Sequence, residues 1–287
     1  MRKVLILGST GLIGHQVYSY LNKFNHFQLS NLSYRNKLNE NTILLDAKDV
    51  DSLVNQIKVL KPDFIVNCIG VLIKQSNDNP ESAIFLNAYL PHVLSRLSSS
   101  LDAKFIHMST DCVFSGYKKG FYTENDYKDG KDIYAKTKGL GEINNGSHLT
   151  IRTSVVGPEL KINGGELFNW FMTQPDKKVN GYINVKWSGV SSIELAKAVK
   201  WAIENEITGL YHVTNNQTIS KYELLELFKK YTNKKIQITP FGDFENDKTF
   251  VDTRGQIDYE IPSYNRMIFE MVQYISENKS LYPQYQI

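Results

Sequence analysis

Along the first half of the chain, short runs of β-branched and aliphatic residues alternate with longer stretches whose apolar positions recur every three or four residues. The runs KVLILG (3–8), FQLSNLS (27–33), NTILLD (41–46), DFIVNCIG (63–70), AKFIHMS (103–109) and HLTIRTSVVG (148–157) each read as a strand. Between them, 12–24, 49–60, 80–100 and 133–143 read as helices, with Val50, Leu53, Val54 and Ile57 showing the helical spacing. Such alternation predicts parallel strands joined by crossover helices. The expected fold class is therefore α/β, a Rossmann-like doubly wound parallel sheet with helices on both faces.

After residue 157 the alternation fails, and a turn-rich polar segment with one helix opens a smaller C-terminal lobe. Within it, 191–206 reads as an amphipathic helix and 209–215 as a strand. The stretch 220–233 begins with a Ser cap followed three residues later by Glu, a capping box, and the last helix is expected at about 263–278.

Composition adds exclusions. With 41% hydrophobic and 22% charged residues, the 287-residue chain has the make-up of a globular protein, and a net charge of +3 gives no electrostatic case for nucleic acid. The opening MRKVLILGSTGLIGH sets basic before apolar residues as a leader would, but glycines interrupt the run, so a buried strand is expected. No apolar run approaches the ~18 residues of a membrane span. The two cysteines, Cys68 and Cys112, have no metal-ligand spacing and suit a reduced, cytoplasmic protein without a metal.

The first strand runs into GSTGLIG, and a helical pattern opens straight after it. Gly8, Gly11 and Gly14 in that context allow a tight turn, close approach of backbone N–H groups to a pyrophosphate, and close packing of helix on strand. Thr10, Leu12 and Ile13 belong to the same candidate cofactor turn. The acidic residue that would bind the ribose 2′-hydroxyl of NAD is missing after the second strand, which ends LSYRN. Arg35 stands where a guanidinium can pair with a 2′-phosphate, so NADP(H) is favoured, with NAD(H) the alternative. Asp46, ending the third strand, is placed either to meet the adenine edge or to cap the next helix.

Tyr and Lys stand four residues apart at Tyr127/Lys131, Tyr134/Lys138, Tyr182/Lys186 and Tyr231/Lys235. Only Tyr134/Lys138 opens a predicted helix after a strand ending in Thr110. Reduction of a ketone needs a hydride at carbon and a proton at oxygen, and a nicotinamide supplies only the first. A phenol with its ordinary pKa near 10 is a poor acid, but a lysine cation one turn away favours the phenolate. A shift of ~2–3 units corresponds to about 3–4 kcal/mol of differential interaction. The Thr110 hydroxyl, at the carboxyl edge of the sheet, can orient the substrate oxygen.

GSTGLIG, DFIVNCIG with PESAIFLNAYLP, HMSTDCVFSG, YAKTKGLGE, TIRTSVVG and GLYHVTNN occur in the order seen in extended short-chain dehydrogenase/reductases. The chain resembles the dTDP-4-dehydrorhamnose reductase family within them, over roughly residues 1–230. The resemblance implies a reductase of the 4-keto group of a nucleotide-activated 6-deoxy sugar, working in polysaccharide or nucleotide-sugar biosynthesis. It implies Thr110, Tyr134 and Lys138 as catalytic residues, with Ala47, Cys68, Ile69, Gly70 and Lys138 added to the cofactor-binding set. The division implied is 1–157, with a return segment at about 188–212, for NADP, and 158–287 mainly for substrate. Partners are the nucleotide sugar, no nucleic acid and no membrane, with a monomer or homodimer. The family's STDYVF has Tyr where Cys112 stands and its RTSWVY has Trp where Val155 stands, which leaves sugar and base open. Related alternatives are an epimerase or epimerase/reductase, and a non-catalytic cofactor-binding subunit.

Other polar residues read as structural. Asp111 and Glu124 are expected to cap loops, and Asn67 and Asn87 to tie backbones. His107 and His92 are expected to be packed, and the aromatic LFNWFM (167–172) to line either a pocket or a lobe core.

Overall fold

The computed structural model of the chain describes every residue except Asp176, Ile257 and Tyr259. In chain order its elements begin with β1 (Arg2–Leu7), α1 (Gly14–Leu21), β2 (Phe27–Ser33), β3 (Ile43–Leu44), α2 (Val50–Leu60) and β4 (Phe64–Asn67). There follow α3 (Ile73–Asp78), α4 (Pro80–Ala83), a π-helical turn (Ile84–Tyr89), α5 (Leu90–Ser100), β5 (Lys104–Thr110), a 3-10 turn (Asp111–Val113), α6 (Ile133–Leu140) and β6 (Leu149–Thr153). The remainder are β7 (Val155–Val156), α7 (Leu167–Thr173), β8 (Lys178–Tyr182), β9 (Val185–Trp187), β10 (Val190–Ser191), α8 (Ser192–Glu204), β11 (Gly209–His212), β12 (Ile219–Ser220), α9 (Lys221–Thr232), β13 (Gln237–Phe241), β14 (Asn246–Asp247) and α10 (Tyr264–Glu277).

Among the described residues, seven strands form one sheet in the order β11-β6-β5-β4-β1-β2-β3. The β1–β2, β1–β4, β2–β3 and β4–β5 pairings are parallel, so the order reverses direction at β1, as in dinucleotide-binding sheets. Leu5 and Leu7 of β1 join Leu53 and Ile57 of α2 and Leu90 and Leu94 of α5 in one cluster. Because successive side chains of a strand alternate, Val4 and Ile6 face the other side, and they too are buried. Burial on both faces explains why β1 reads as a continuous aliphatic run.

The described residues divide into two compact units. The first comprises Met1–Phe114, Tyr127–Arg152 and Ala196–Tyr211, and the second Ser115–Asp126, Thr153–Leu195 and His212–Ile287. In the second, β8 pairs with β13, β7 with β10, and β9 with β12 and β14. Its core gathers Phe168 of α7, Phe228 of α9 and Tyr285, with Phe168 ring centroids 5.1 and 5.3 Å from the other two. Phe168, Phe171 and Met172 are buried, so this aromatic stretch is lobe core, with Trp170 partly exposed.

Several expectations change, strands 63–70 and 209–215 shortening to Phe64–Asn67 and Gly209–His212 among them. The predicted strand 148–157 is broken at Ser154: β6 stays in the large sheet while β7 pairs with β10, whose Val190 N–H donates to the Ser154 carbonyl at 3.0 Å. The predicted helix 80–100 contains a π turn, where the Leu90 N–H reaches back to Phe85 O. Pro91 follows immediately and has no N–H to offer Asn87, which accounts for the widened register. The predicted strand 41–46 contracts to Ile43–Leu44. Among the described residues, no helix is long and apolar enough to cross a membrane.

Candidate active site

The glycine turn joins β1 to α1 within the first unit, and its three glycines are held to different standards. Gly8 has φ +78° and a Cβ there would lie 3.0–3.1 Å from the Cys68 and Ile69 backbone. At Gly14 a Cβ would lie 2.2 Å from the Gly8 carbonyl oxygen, so the start of α1 can sit on the strand end only without a side chain. At Gly11 a Cβ would meet, among the described residues, only the Gly8 oxygen, at 3.4 Å. The chain itself therefore does not demand glycine at 11, whereas a ligand pressed against the backbone would. Thr10, Gly11, Leu12 and Ile13 are all half-buried, and the first turn of α1 carries no acidic residue to compete with an anion. These residues fit a pyrophosphate.

The turn is held from beneath. Gly8 and Ser9 donate their N–H groups to Leu32 O at 2.9 and 3.0 Å, and the Ser9 hydroxyl donates to Asn31 Oδ1 at 2.9 Å. His15 Nδ1–H donates to Gly11 O at 2.7 Å, while His15 Nε2 accepts from Gln16 Nε2 at 3.0 Å. Burial pulls the His15 pKa down to about 4, against the opposing pull of its bond to Gly11, so the ring is neutral and keeps that donor. His15 was not among the residues singled out from sequence. Its only signal was a polar residue directly after the third glycine.

Arg35 follows β2, is exposed, and lies 4.6 Å over the Tyr34 ring. Asp46 accepts from Lys48 N at 3.0 Å, but the cap of α2 is Asp49, which accepts from Ser52 N at 3.1 Å. Of the two roles open to Asp46, helix capping is thus removed. Ala47 beside it is buried, Cys68 and Ile69 are half-buried, and Gly70 is exposed. Asn87 ties this loop down as expected, accepting from Val71 N at 2.8 Å and donating to Val71 O at 2.9 Å and Thr137 Oγ1 at 3.3 Å.

Helix α6 is capped by Asp132, which accepts from Ala135 N at 2.7 Å. Tyr134 in its first turn is half-buried and Lys138, one turn on, is 4% exposed. Lys138 Nζ donates to Met108 O and lies 3.5 Å from His107 Nε2. Burial lowers the Lys138 pKa to about 8, with the Glu142 and Cys68 side chains acting in the opposite direction. Burial also pushes the Cys68 thiol up to about 12, an effect Lys138 partly offsets. Thr110 ends β5 buried, and its hydroxyl donates to Asp111 Oδ1 and accepts from Cys112 N, both at 3.1 Å. It is engaged with its own 3-10 turn, so a substrate oxygen would have to take over the bond to Asp111.

Behind Lys138 lies an ion cluster. Glu142 accepts from Arg152 Nε and Nη2 at 2.9 and 2.8 Å, from Ser109 Oγ at 2.6 Å and from Lys128 Nζ at 3.1 Å. Burial raises the Glu142 carboxyl, but the Arg152 bonds and charge overcome this and hold it below its ordinary value. The pair pins the end of α6 to β6. Neither residue has a sequence neighbour that announces the pairing, although Glu142 ends YAKTKGLGE and Arg152 lies within TIRTSVVG.

Other polar candidates resolve individually. His107 is buried as expected, but it is also bonded to Asn67, with Asn67 Nδ2 and His107 Nδ1 3.1 Å apart. His92 is not packed: it is exposed, with Nε2 2.8 Å from Leu140 O. Within the second unit Glu124 accepts from His212 N at 3.2 Å and Thr253 Oγ1 at 2.5 Å, tying segments distant in sequence. Burial raises the Glu124 carboxyl, but bonds from Thr253 and the His212 charge leave it lowered.

A family profile described as the RmlD substrate binding domain matches residues 1–247. The chain is similar to a dTDP-4-dehydrorhamnose reductase of Salmonella typhimurium, 26% identical over 239 residues, covering 78% of this chain and 76% of the relative. It is also similar to methionine adenosyltransferase 2 subunit beta of Rattus norvegicus, 28% identical over 241 residues, covering 78% and 70%. Among solved structures it resembles a dTDP-4-dehydrorhamnose reductase of Bacillus anthracis in complex with NADP, with a TM-score of 0.81 at 20% identity, covering 96% of this chain and 99% of that one.

Proposed function

The chain belongs to the RmlD substrate binding domain family, and from that premise we propose that it is an NADPH-dependent reductase of the 4-keto group of a nucleotide-activated 6-deoxy sugar. The observation that carries this reading is a buried lysine, Lys138, set one helical turn after Tyr134 on a helix that begins beyond the carboxyl end of β5. Its similarity to the dTDP-4-dehydrorhamnose reductase of Salmonella typhimurium and to the NADP-bound Bacillus anthracis reductase supports it.

In this reading Gly8, Thr10, Gly11, Leu12, Ile13 and Gly14 hold the pyrophosphate and Arg35 the 2′-phosphate. Asp46 and Ala47 take the adenine end, and Cys68, Ile69, Gly70 and Lys138 the nicotinamide half. When bound, the cofactor supplies a hydride for the carbonyl carbon. Tyr134 gives its phenolic proton to the carbonyl oxygen. Lys138 favours the resulting phenolate by its charge, while Met108 O accepts from its Nζ and the Glu142 carboxylate favours the charged form. Thr110 orients the carbonyl once its hydroxyl exchanges Asp111 for substrate. The sugar nucleotide is assigned to residues 158–287, the setting to polysaccharide precursor synthesis, and the compartment to the cytoplasm.

The test is NADPH oxidation in the presence of 4-keto-6-deoxy sugars linked to dTDP, UDP or GDP, with the product read by NMR. One hydride consumed per C4 alcohol formed is expected. The similarity to the rat beta subunit supplies a second reading, a cofactor-binding subunit without turnover. NADPH binding with no oxidation by any of the sugars favours that reading, and a changed stereocentre without net oxidation favours an epimerase.

A further inference from the structure

Asn67 ends β4 and stands opposite His107 of β5 in the parallel register. Its Oδ1 accepts the Ile69 N–H at 3.1 Å, which turns the amide so that Nδ2 meets His107 Nδ1, also at 3.1 Å. An amide nitrogen only donates. Nδ1 is therefore the accepting atom, and the neutral imidazole carries its proton on Nε2. That Nε2 lies 3.5 Å from Lys138 Nζ, at the outer limit of hydrogen bonding. Facing an ammonium, Nε2–H sets donor against donor. Facing an uncharged amine, it meets a lone pair.

We propose that His107 is a positioning residue for Lys138: through the proton order that Asn67 fixes, it favours the uncharged amine and so sets the pH above which Lys138 ceases to be a cation. The inference rests on the reading of Lys138 as the group that acidifies Tyr134, and deepens it. Other groups bear on the same pair. Cys68 faces Lys138 from the end of β4, Glu142 faces it from beyond α6 with Arg152 and Lys128 bound to it, and Tyr134 precedes it by one turn. His92 of α5 acts on His107. Burial holds His107 well below its ordinary pKa, with the Lys138 and His92 charges adding to the effect, so it keeps a single proton throughout the working range.

The experiment follows Lys138 itself in the full-length protein, by lysine-selective 13Cε/15Nζ NMR titration with the resonance assigned from Lys138→Met. The wild type is expected to titrate near pH 8. In His107→Gln a side-chain oxygen can turn to Nζ and accept from the ammonium, and the midpoint is expected to rise by about one unit, a tenfold change in acid constant. Asn67→Asp, whose carboxylate accepts from imidazole Nδ1–H and reverses the ring's proton order, is expected to raise it as well, and most of that rise should vanish when His107 is also changed to Phe. The alkaline limb of the NADPH-oxidation profile should move with the midpoint in each folded variant. A Lys138 midpoint unmoved by His107→Gln overturns the proposal, as does an Asn67→Asp shift equally large without His107. The titration needs no substrate, so a failure to find any reducible sugar would count against the reductase reading alone.

Discussion

Arg152 and Glu142 meet in a two-point ion pair of 2.8 and 2.9 Å, with both side chains only 2% exposed. Removing one partner leaves the other charge buried, and that costs more than the pair itself contributes. Arg152→Met should therefore lower stability by roughly 3–5 kcal/mol. The double variant Arg152→Met with Glu142→Leu should recover most of the loss, which urea unfolding of the two proteins would measure.

The glycines of the turn should separate fold from ligand. A methyl group at Gly14 collides with the Gly8 carbonyl, so Gly14→Ala is expected to lose about 1–3 kcal/mol of stability. Gly11→Ala adds a methyl group only 3.4 Å from one oxygen, so it should fold with little loss. It should still bind NADPH on the order of tenfold more weakly, because the backbone can no longer approach the pyrophosphate. Unfolding and cofactor titration on the same samples check both halves.

His15 gives the glycine turn a pH dependence. Its folded pKa of about 4 lies below the ordinary 6.5, so between these values the unfolded chain holds more protons than the folded one. The contribution is complete above pH 6.5 and falls as pH drops toward 4, by up to roughly 3 kcal/mol. His15→Gln should flatten this part of the stability profile measured between pH 7 and 4.

Cofactor choice should turn on Arg35. Its exposed guanidinium, laid over Tyr34, stands after β2 with no carboxylate in the place that NAD recognition needs. Arg35→Ser should raise the KM for NADPH by about tenfold or more and leave that for NADH nearly unchanged. Equal effects on both cofactors would mean the residue does not read the 2′-phosphate.

Features with a local cause were legible in the chain. β2 lies at 27–33 as its β-rich run indicated, and the capping box at Ser220 and Glu223 is present. The glycine turn follows β1 because spacing, strand and helix were all written in one stretch. Features made by distant partners were not. β8 and β13 pair from Lys178↔Gln237 onward across more than fifty residues, and neither carries a strong period of its own. His107 looked like an ordinary inward residue of β5, since nothing near it in sequence announces Asn67 or Lys138. Helix 80–100 reads straight through Pro91, but the widened register ahead of it, with the Leu90 N–H on Phe85 O, leaves no mark in the apolar spacing.

Tyr134→Phe keeps the ring and removes only the hydroxyl, so it tests most directly whether this phenol is the proton donor. NADPH binding retained near the wild-type affinity, with reduction of the keto-sugar nucleotide lowered by about a hundredfold or more, is the expected result. Reduction continuing at close to the wild-type rate in that variant would contradict it.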